Sequence, residues 1–177
     1  MSARLKPEAD KAAGILIIPV GEIESEVISH LCSALSAIFN RAVQPGAQLP
    51  HPEYAFNFKR RQYAAGEILA RLPGSALGVV DLDLYVPQLN FVFGLADPVN
   101  RRAVIALRRL RQEFYGLPED RELFLGRAVK EAVHELGHTF GLTHCVNRRC
   151  VMAFSNSLAD TDYKGQAFCR RCSSKLK

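Results

Sequence analysis

The stretch "HELGHTFGLTHC", His134 to Cys145, contains three histidines, one glutamate and a final cysteine. His134 and His138 are four residues apart, which on a helix is ~400° of rotation and ~6 Å of rise. Both imidazoles therefore leave the same face, one turn apart. Two such rings can bind one metal ion at ~2.0–2.1 Å each. The spacing predicts a metal site on a helix.

The third histidine, His144, cannot reach the same ion from a continuous helix, where it would lie ~15 Å further along the axis. Gly141 removes this difficulty, because glycine tolerates positive φ and lets the chain leave the helix and turn back. His144 can then arrive as a third nitrogen ligand. Three protein ligands leave a position for water, which is typical of a catalytic zinc.

Glu135 follows the first histidine directly and is better placed to reach that water than the metal itself. This is the general-base position of a zinc peptidase. A lone histidine pair at helical spacing is often only a surface or core pair. The complete string of His134, Glu135, His138, Gly141 and His144 favours metal binding.

A second zinc site is predicted from the cysteines. Cys145 and Cys150 lie on one short loop, and Cys169 and Cys172 form a Cys-x-x-Cys pair further on. Four thiolates on two tight turns suit a tetrahedral structural zinc with no open position. Disulfides are the alternative, and they require an oxidising compartment. Cys32 stands alone in an apolar helical pattern and is interpreted as an inert core thiol.

Length and composition fit one soluble globular domain. The chain has 177 residues and 48% hydrophobic residues, and it contains no apolar run long enough to span a membrane. Its start, "MSARLKPEAD", lacks the pattern of a signal peptide, so we expect a cytoplasmic monomer. The net charge of +5 permits contact with nucleic acid, but the basic residues are scattered, which favours a solvated surface instead.

The pattern of elements predicts an α/β fold. The expected order is strand, helix, strand, helix, three strands, a long helix and a loop-rich tail. The expected ranges are strands at Ile15–Val20, within "RAVQP" and at Ala76–Val86, Leu89–Leu95 and Arg102–Leu107, helices at Ile23–Phe39, Arg61–Leu72 and from Gly116 to Gly141, and a peripheral segment at residues 1–13. Two parts follow from this. Residues 1–141 carry the sheet and the metal-binding helix, and residues 142–177 carry the third histidine and the four cysteines.

"HELGHTFGLTH" matches the extended zinc-binding motif of the metzincin clan of metallopeptidases. With the third histidine running directly into a four-cysteine site, the chain most resembles the archaemetzincin family, and "VVDLDLYVP", Val79–Pro87, is also similar to that family. The resemblance implies a twisted mixed sheet, a long active-site helix and a small C-terminal subdomain. It also implies that Met152 forms the Met-turn, an apolar base beneath the zinc histidines.

The residues and the resemblance together predict a zinc peptidase with two zinc ions per chain, one catalytic and one structural. Peptide substrates would pair with a sheet edge, for which Leu89–Leu95 is the candidate, and the resemblance adds an aminopeptidase-like bias toward small peptides. The alternative is a zinc-stabilised module that binds nucleic acid or peptide and cleaves little or nothing. Glu135 argues against it, since metal binding alone does not require a carboxylate there.

One catalytic group is missing from the pattern. Some metzincins carry a tyrosine two residues after the Met-turn methionine, where this chain has Phe154. Tyr85 and Tyr163 are the candidate substitutes. His30 and His51 have no partner at ligand spacing and are expected on the surface.

Overall fold

The computed structural model of the chain describes residues 14–176, so the expectation for residues 1–13 lies outside the described part. The strands are β1 (Ile15–Pro19), β2 (Val43–Pro45), β3 (Phe56–Asn57), β4 (Gln62–Ala64), β5 (Ala76–Val80), β6 (Leu84–Tyr85), β7 (Gly94–Asp97) and β8 (Arg102–Ala106). The α-helices are α1 (Ser25–Phe39), α2 (Ala65–Ala70), α3 (Arg121–Thr139), α4 (Leu158–Tyr163) and α5 (Arg170–Ser173).

The main sheet has the strand order β2-β1-β5-β8-β7. Its first four strands are parallel, and β7 pairs antiparallel with β8 at the edge. Every residue of β5 is buried, as expected for a parallel strand covered on both faces. The expected α/β class with a mixed sheet is confirmed.

Helices cover both faces of this sheet. Ile15 and Ile17 of β1 pack in the same apolar cluster as residues of α1 and α3. Ile18, on the opposite face of the strand, packs in a second cluster with residues of α2. This alternation follows from the period of two along a strand. The metal-binding helix α3 therefore lies against the sheet, beside β8 and the edge strand β7.

Three of the expected boundaries are wrong. The helix expected at Arg61–Leu72 is only Ala65–Ala70, because Gln62–Ala64 pairs as β4 with β3 and β6. The strand expected at Ala76–Val86 is two strands, since β5 pairs with β1 and β8 in the main sheet whereas β6 pairs with β4 in a three-stranded sheet of β3, β4 and β6. The long helix begins at Arg121 rather than near Gly116.

The expected strand Leu89–Leu95 is also wrong in its position. The edge strand is Gly94–Asp97. The residues before it form a loop whose carbonyls at Leu89 and Asn90 accept hydrogen bonds from the Arg60 side chain. Side-chain donors thus take the carbonyls that a strand would have used in its ladder.

The C-terminal segment, residues 142–176, has more helix than expected, with α4 and α5 both short. It is joined to the main core through Val151 and Met152, which are completely buried. Within residues 14–176, no helix is both long enough and apolar enough to cross a membrane.

Candidate metal centres

The first two histidines leave α3 on the side that faces the edge strand. The ring centroids of His134 and His138 are 4.7 Å apart, and their Nε2 atoms approach to 3.2 Å. His134 is buried, while His138 is half-buried. The helical spacing of four residues therefore produces the expected pair of imidazoles on one face.

The chain leaves the helix at Gly141, which has φ +84°. The N–H of Gly141 donates to the carbonyl of His138 at 2.9 Å, and the N–H of Leu142 donates to the carbonyl of Gly137 at 3.0 Å. These are the bonds of a left-handed helix C-cap. The turn brings the His144 ring within 5.2 Å of the His134 ring and 4.9 Å of the His138 ring.

The nitrogen atoms of the triad suit a metal ion. His134 Nδ1 lies 2.9 Å from the carbonyl of Val151, and His138 Nδ1 lies 2.8 Å from the carbonyl of Leu142. A ring that donates from Nδ1 presents the lone pair of Nε2. The two Nε2 lone pairs then face each other at 3.2 Å, an arrangement that a cation between them would stabilise.

A proton is a poor candidate for that cation, because burial lowers the pKa of His134 to about 2. Burial also lowers the pKa of His138 and of His144. One ligand nitrogen from each of the three rings lies within 4.8 Å of the others. Neutral imidazoles at this separation fit a divalent zinc ion.

Glu135 lines the same cleft but does not belong to the nitrogen cluster. Its carboxylate is buried, and burial followed by the charge of Glu131 raises its pKa to about 8. The backbone of β7 passes directly over it, since a Cβ built on Gly94 would lie 2.5 Å from Glu135 Cγ and 2.7 Å from Oε1. Gly94 thus leaves the space that the Glu135 side chain occupies.

Met152 packs against α3, where the first two histidines lie. It is completely buried, and a side chain at Gly137, between the first two histidines on α3, would collide with its Sδ. The residue before it, Val151, supplies the carbonyl that orients His134. The segment around Met152 therefore contacts the metal-binding helix through the methionine sulfur and orients His134 through a backbone carbonyl.

The four C-terminal cysteines form a second cluster. All five cysteines of the chain lie in the described part, and none of them is in a disulfide. The Sγ atoms of Cys145, Cys150, Cys169 and Cys172 lie within 4.8 Å of one another. Backbone donors already face the sulfurs, with the N–H of Cys169 3.3 Å from Cys150 Sγ.

The chemistry of this cluster also fits zinc. The N–H of Cys172 lowers the pKa of Cys169 to about 7, which favours the thiolate that metals bind, whereas burial raises the pKa of Cys150 and of Cys172 in the metal-free group. Four sulfurs in a closed group leave no position for water. The two clusters are physically linked, because His144 precedes Cys145 in the chain and the Cys145 N–H donates to the Met152 carbonyl at 2.8 Å.

A cleft of about 360 Å³ opens over the triad. Its lining residues come from the 86–98 region, from α3, from the turn that carries His144 and from the segment after Met152. They are Val86, Leu89, Phe91, Val92, Phe93, Gly94, Leu95, Ala96, Pro98, Glu131, His134, Glu135, His138, His144, Phe154, Ser155 and Asn156. The Phe154 ring lies 5.1 Å from the His144 ring.

Tyr85 and Tyr163, the candidates to supply the hydroxyl that Phe154 lacks, do not line this cleft. Tyr85 Oη accepts a hydrogen bond from Asn57 at 2.9 Å, and Tyr163 lies under the guanidinium groups of Arg148 and Arg149. His30 and His51 are exposed, as expected.

Three residues of the site were not predicted from the sequence. Gly94 lies within the expected strand Leu89–Leu95, but nothing in the sequence indicates that it faces Glu135. Glu131 and Lys164 form a buried ion pair of 3.0 Å beside the cleft. Glu131 had a recognisable signal, because it lies one turn before Glu135 on the same helix face. Lys164 had none, since its burial depends on how α4 packs.

A mixed sheet with an antiparallel edge strand, a histidine triad completed after a helix-ending glycine, and a buried methionine packed against the metal-binding helix are typical of metzincin-type zinc metallopeptidases. The model of peptidase family M54 matches residues 57–177, and the chain belongs to that family. It is 46% identical over 176 residues to the archaemetzincin of Pyrococcus abyssi, covering 92% of this chain and 94% of the relative.

Solved structures agree with this assignment. The archaemetzincin from Archaeoglobus fulgidus, solved in complex with malonate, is 42% identical with a TM-score of 0.83, covering 92% of this chain and 99% of that one. A zinc-dependent peptidase from Methanocorpusculum labreanum is 30% identical with a TM-score of 0.86, covering 93% and 100%. The chain is a zinc metallopeptidase of the archaemetzincin family.

Proposed function

We propose that the chain hydrolyses peptide bonds with Glu135 as general base beside a zinc ion held by His134, His138 and His144. The observation that carries this proposal is the position of Glu135, whose carboxylate is buried in the cleft next to the three rings without joining their nitrogen cluster. A carboxylate used only to bind metal would be expected among the ligand atoms.

Zinc, when bound, lowers the pKa of a coordinated water and polarises a peptide carbonyl. Glu135 accepts a proton from the attacking water and later passes it to the amine that leaves. Burial supports this role, because it raises the pKa of Glu135 above that of an exposed carboxylate and so makes the ionised group a stronger base. The carbonyls of Val151 and Leu142 hold the two helical imidazoles in orientation throughout.

The substrate backbone is proposed to pair with β7, Gly94–Asp97. This strand is the antiparallel edge of the main sheet, and Gly94, Leu95 and Ala96 line the cleft. Its outward backbone groups can orient an extended peptide by hydrogen bonding. This replaces the stretch Leu89–Leu95 as the proposed substrate-binding edge.

The second zinc is proposed to be structural, bound by Cys145, Cys150, Cys169 and Cys172. It would hold the two cysteine-containing turns of the C-terminal subdomain, residues 142–177, against the catalytic part, residues 1–141. Two zinc ions per chain and an aminopeptidase-like preference complete the proposal. A cytoplasmic monomer that does not bind nucleic acid stays a prediction from the sequence.

A peptide screen tests this function. Peptides with free and with acetylated N-termini are incubated with zinc-loaded wild type and with Glu135→Ala of equal zinc content. Cleavage by the wild type only is the expected result, and faster cleavage of the free peptides supports the aminopeptidase preference. Salt-sensitive binding to nucleic acid without any cleavage would instead establish the binding module.

A further inference from the structure

The lining of the cleft includes polar side chains that peptide hydrolysis does not require. Most of its lining is apolar, and beyond the triad and Glu135 its polar side chains are Glu131, Ser155 and Asn156. Glu131 lies on α3 one helical turn before Glu135, which places the two positions ~6 Å apart along the helix. It is thus within reach of a substrate side chain that extends along α3 from the reaction centre.

The contacts of Glu131 leave part of its carboxylate available. Thr161 Oγ1 donates to Oε1 at 3.0 Å, and the Lys164 ammonium lies 3.0 Å from the same oxygen. Glu131 and Lys164 are each only 2% exposed. An ionised carboxylate has about four acceptor positions on its two oxygens. Since both contacts use Oε1, Oε2 keeps its capacity to accept a hydrogen bond.

The charge of this carboxylate is already balanced. Lys164 is as close to Oε1 as a hydrogen-bond donor would be, so a cationic substrate side chain at Glu131 would meet a second cation as well as the anion. A neutral donor meets no such repulsion. The Glu131–Lys164 pair therefore favours a hydroxyl or amide over the ammonium of lysine or the guanidinium of arginine.

A second polar group comes from the segment after Met152. Ser155 lines the cleft, and its Oγ is buried without a hydrogen-bond partner among the described residues. Buried polar atoms in native proteins nearly always have a partner. The same cleft is also lined by apolar side chains such as Leu95 and Phe154.

We propose that Glu131 and Ser155 form a specificity subsite for a neutral side chain with an apolar body and a hydrogen-bond donor at its tip, namely tyrosine or glutamine. The subsite rests on the proposed function, because it selects the peptide that Glu135 helps to cleave. Stability alone is a weak reason for the ion pair, since buried pairs rarely stabilise more than apolar residues of equal volume. Its place on the cleft wall gives it a second use.

Binding to Glu135→Ala tests the subsite independently of turnover. A series of peptides carries tyrosine, phenylalanine, glutamine, methionine or lysine at one position, and each position in turn is measured by calorimetry with zinc-loaded protein. At one position tyrosine should bind ~10-fold or more tighter than phenylalanine, because a buried acceptor left unpaired is penalised. Glutamine should likewise exceed methionine, and lysine should be disfavoured. Equal binding of tyrosine and phenylalanine at every position, or a preference for lysine, overturns the proposal.

Variants then assign the preference to these residues. The double substitution Glu131→Met and Lys164→Met, made in the Glu135→Ala background, removes both charges at similar volume and should abolish the preference for tyrosine. If that protein does not fold, Glu131→Gln should reduce the preference instead. Ser155→Ala should weaken it, while Ser173→Ala, at an exposed position outside the cleft, should not. A preference that survives the changes at Glu131 overturns the assignment.

The two proposals fail in different ways. A wild type that cleaves no peptide, with tyrosine selectivity intact in the binding series, refutes the peptidase mechanism and keeps the subsite. Cleavage that depends on Glu135 but shows no side-chain preference keeps the mechanism and refutes the subsite.

Discussion

Gly94→Ala should slow catalysis without disturbing the fold. Gly94 is the first residue of the edge strand, and its φ is not in the left-handed region, so alanine is tolerated by the backbone. Its added methyl would lie 2.5 Å from Glu135 Cγ and 2.8 Å from Cδ. Carbon atoms in contact are ~3.5–4.0 Å apart, so the Glu135 side chain must move by roughly 1 Å.

The size of the effect follows from that displacement. A misplacement of about 1 Å in a catalytic group costs on the order of 10²-fold in rate, within the ~10²–10⁴-fold contribution of a positioned general base. We therefore expect kcat to fall ~10²-fold, with zinc content and melting temperature close to wild type. Steady-state kinetics on a cleaved peptide, metal analysis and thermal unfolding measure the three quantities.

Two further variants test whether Gly94 acts through Glu135. Gly66→Ala is the matched control, because a Cβ there meets no atom within 4 Å, and it should leave kcat unchanged. In a Glu135→Ala background, Gly94→Ala should have no further effect on the rate, since the side chain it displaces is gone. A full-rate Gly94→Ala enzyme, or an equal loss in both backgrounds, would show that Gly94 does not act through Glu135.

Three further predictions concern stability and metal binding. Lys164→Met should lower the free energy of unfolding, measured in urea, by ~3–5 kcal/mol because it leaves Glu131 buried without its cation. Adding Glu131→Met should recover most of the lost stability. A double variant as unstable as Lys164→Met would argue against the ion pair. Cys169→Ser should lower the melting temperature of the protein and also the zinc occupancy of the histidine centre, because the Cys145–Met152 hydrogen bond joins the two centres. A fully occupied histidine centre beside an empty sulfur centre would disprove the coupling. In zinc-free protein the pKa of His134 is about 2, against ~6.5 in the unfolded chain, so the unfolded state binds more protons and stability should fall as the pH drops below ~6.5. Urea titrations should show a shallower fall for His134→Gln, and parallel curves would contradict the burial of this ring.

The parts of the site that the sequence predicted depend on local geometry. A four-residue spacing places His134 and His138 on one helix face whatever surrounds the helix, and Gly141 permits only a few ways to continue the chain. Within each cysteine pair, Cys145 with Cys150 and Cys169 with Cys172, the two thiols are likewise only a few residues apart. Such patterns can be interpreted from spacing alone, because the relevant atoms are within a few residues of one another.

The parts that the sequence did not predict depend on contacts between distant segments. The edge strand begins at Gly94 rather than Leu89, since the Arg60 side chain binds the loop carbonyls at a separation of about thirty residues in the chain. Lys164 appears as an ordinary polar residue until α4 packs on α3 and buries it against Glu131. Neither contact produces a periodic pattern in the sequence from which it could be predicted.

Anomalous scattering at the zinc absorption edge can establish whether the histidine centre and the cysteine centre both bind zinc, because it locates each metal ion within the molecule. Crystals of the active enzyme should show two peaks, one among His134, His138 and His144 and one among the four cysteines. After mild chelation, the histidine peak and the peptidase activity should disappear together while the sulfur peak remains. An active enzyme with zinc at the sulfur cluster alone would contradict the account.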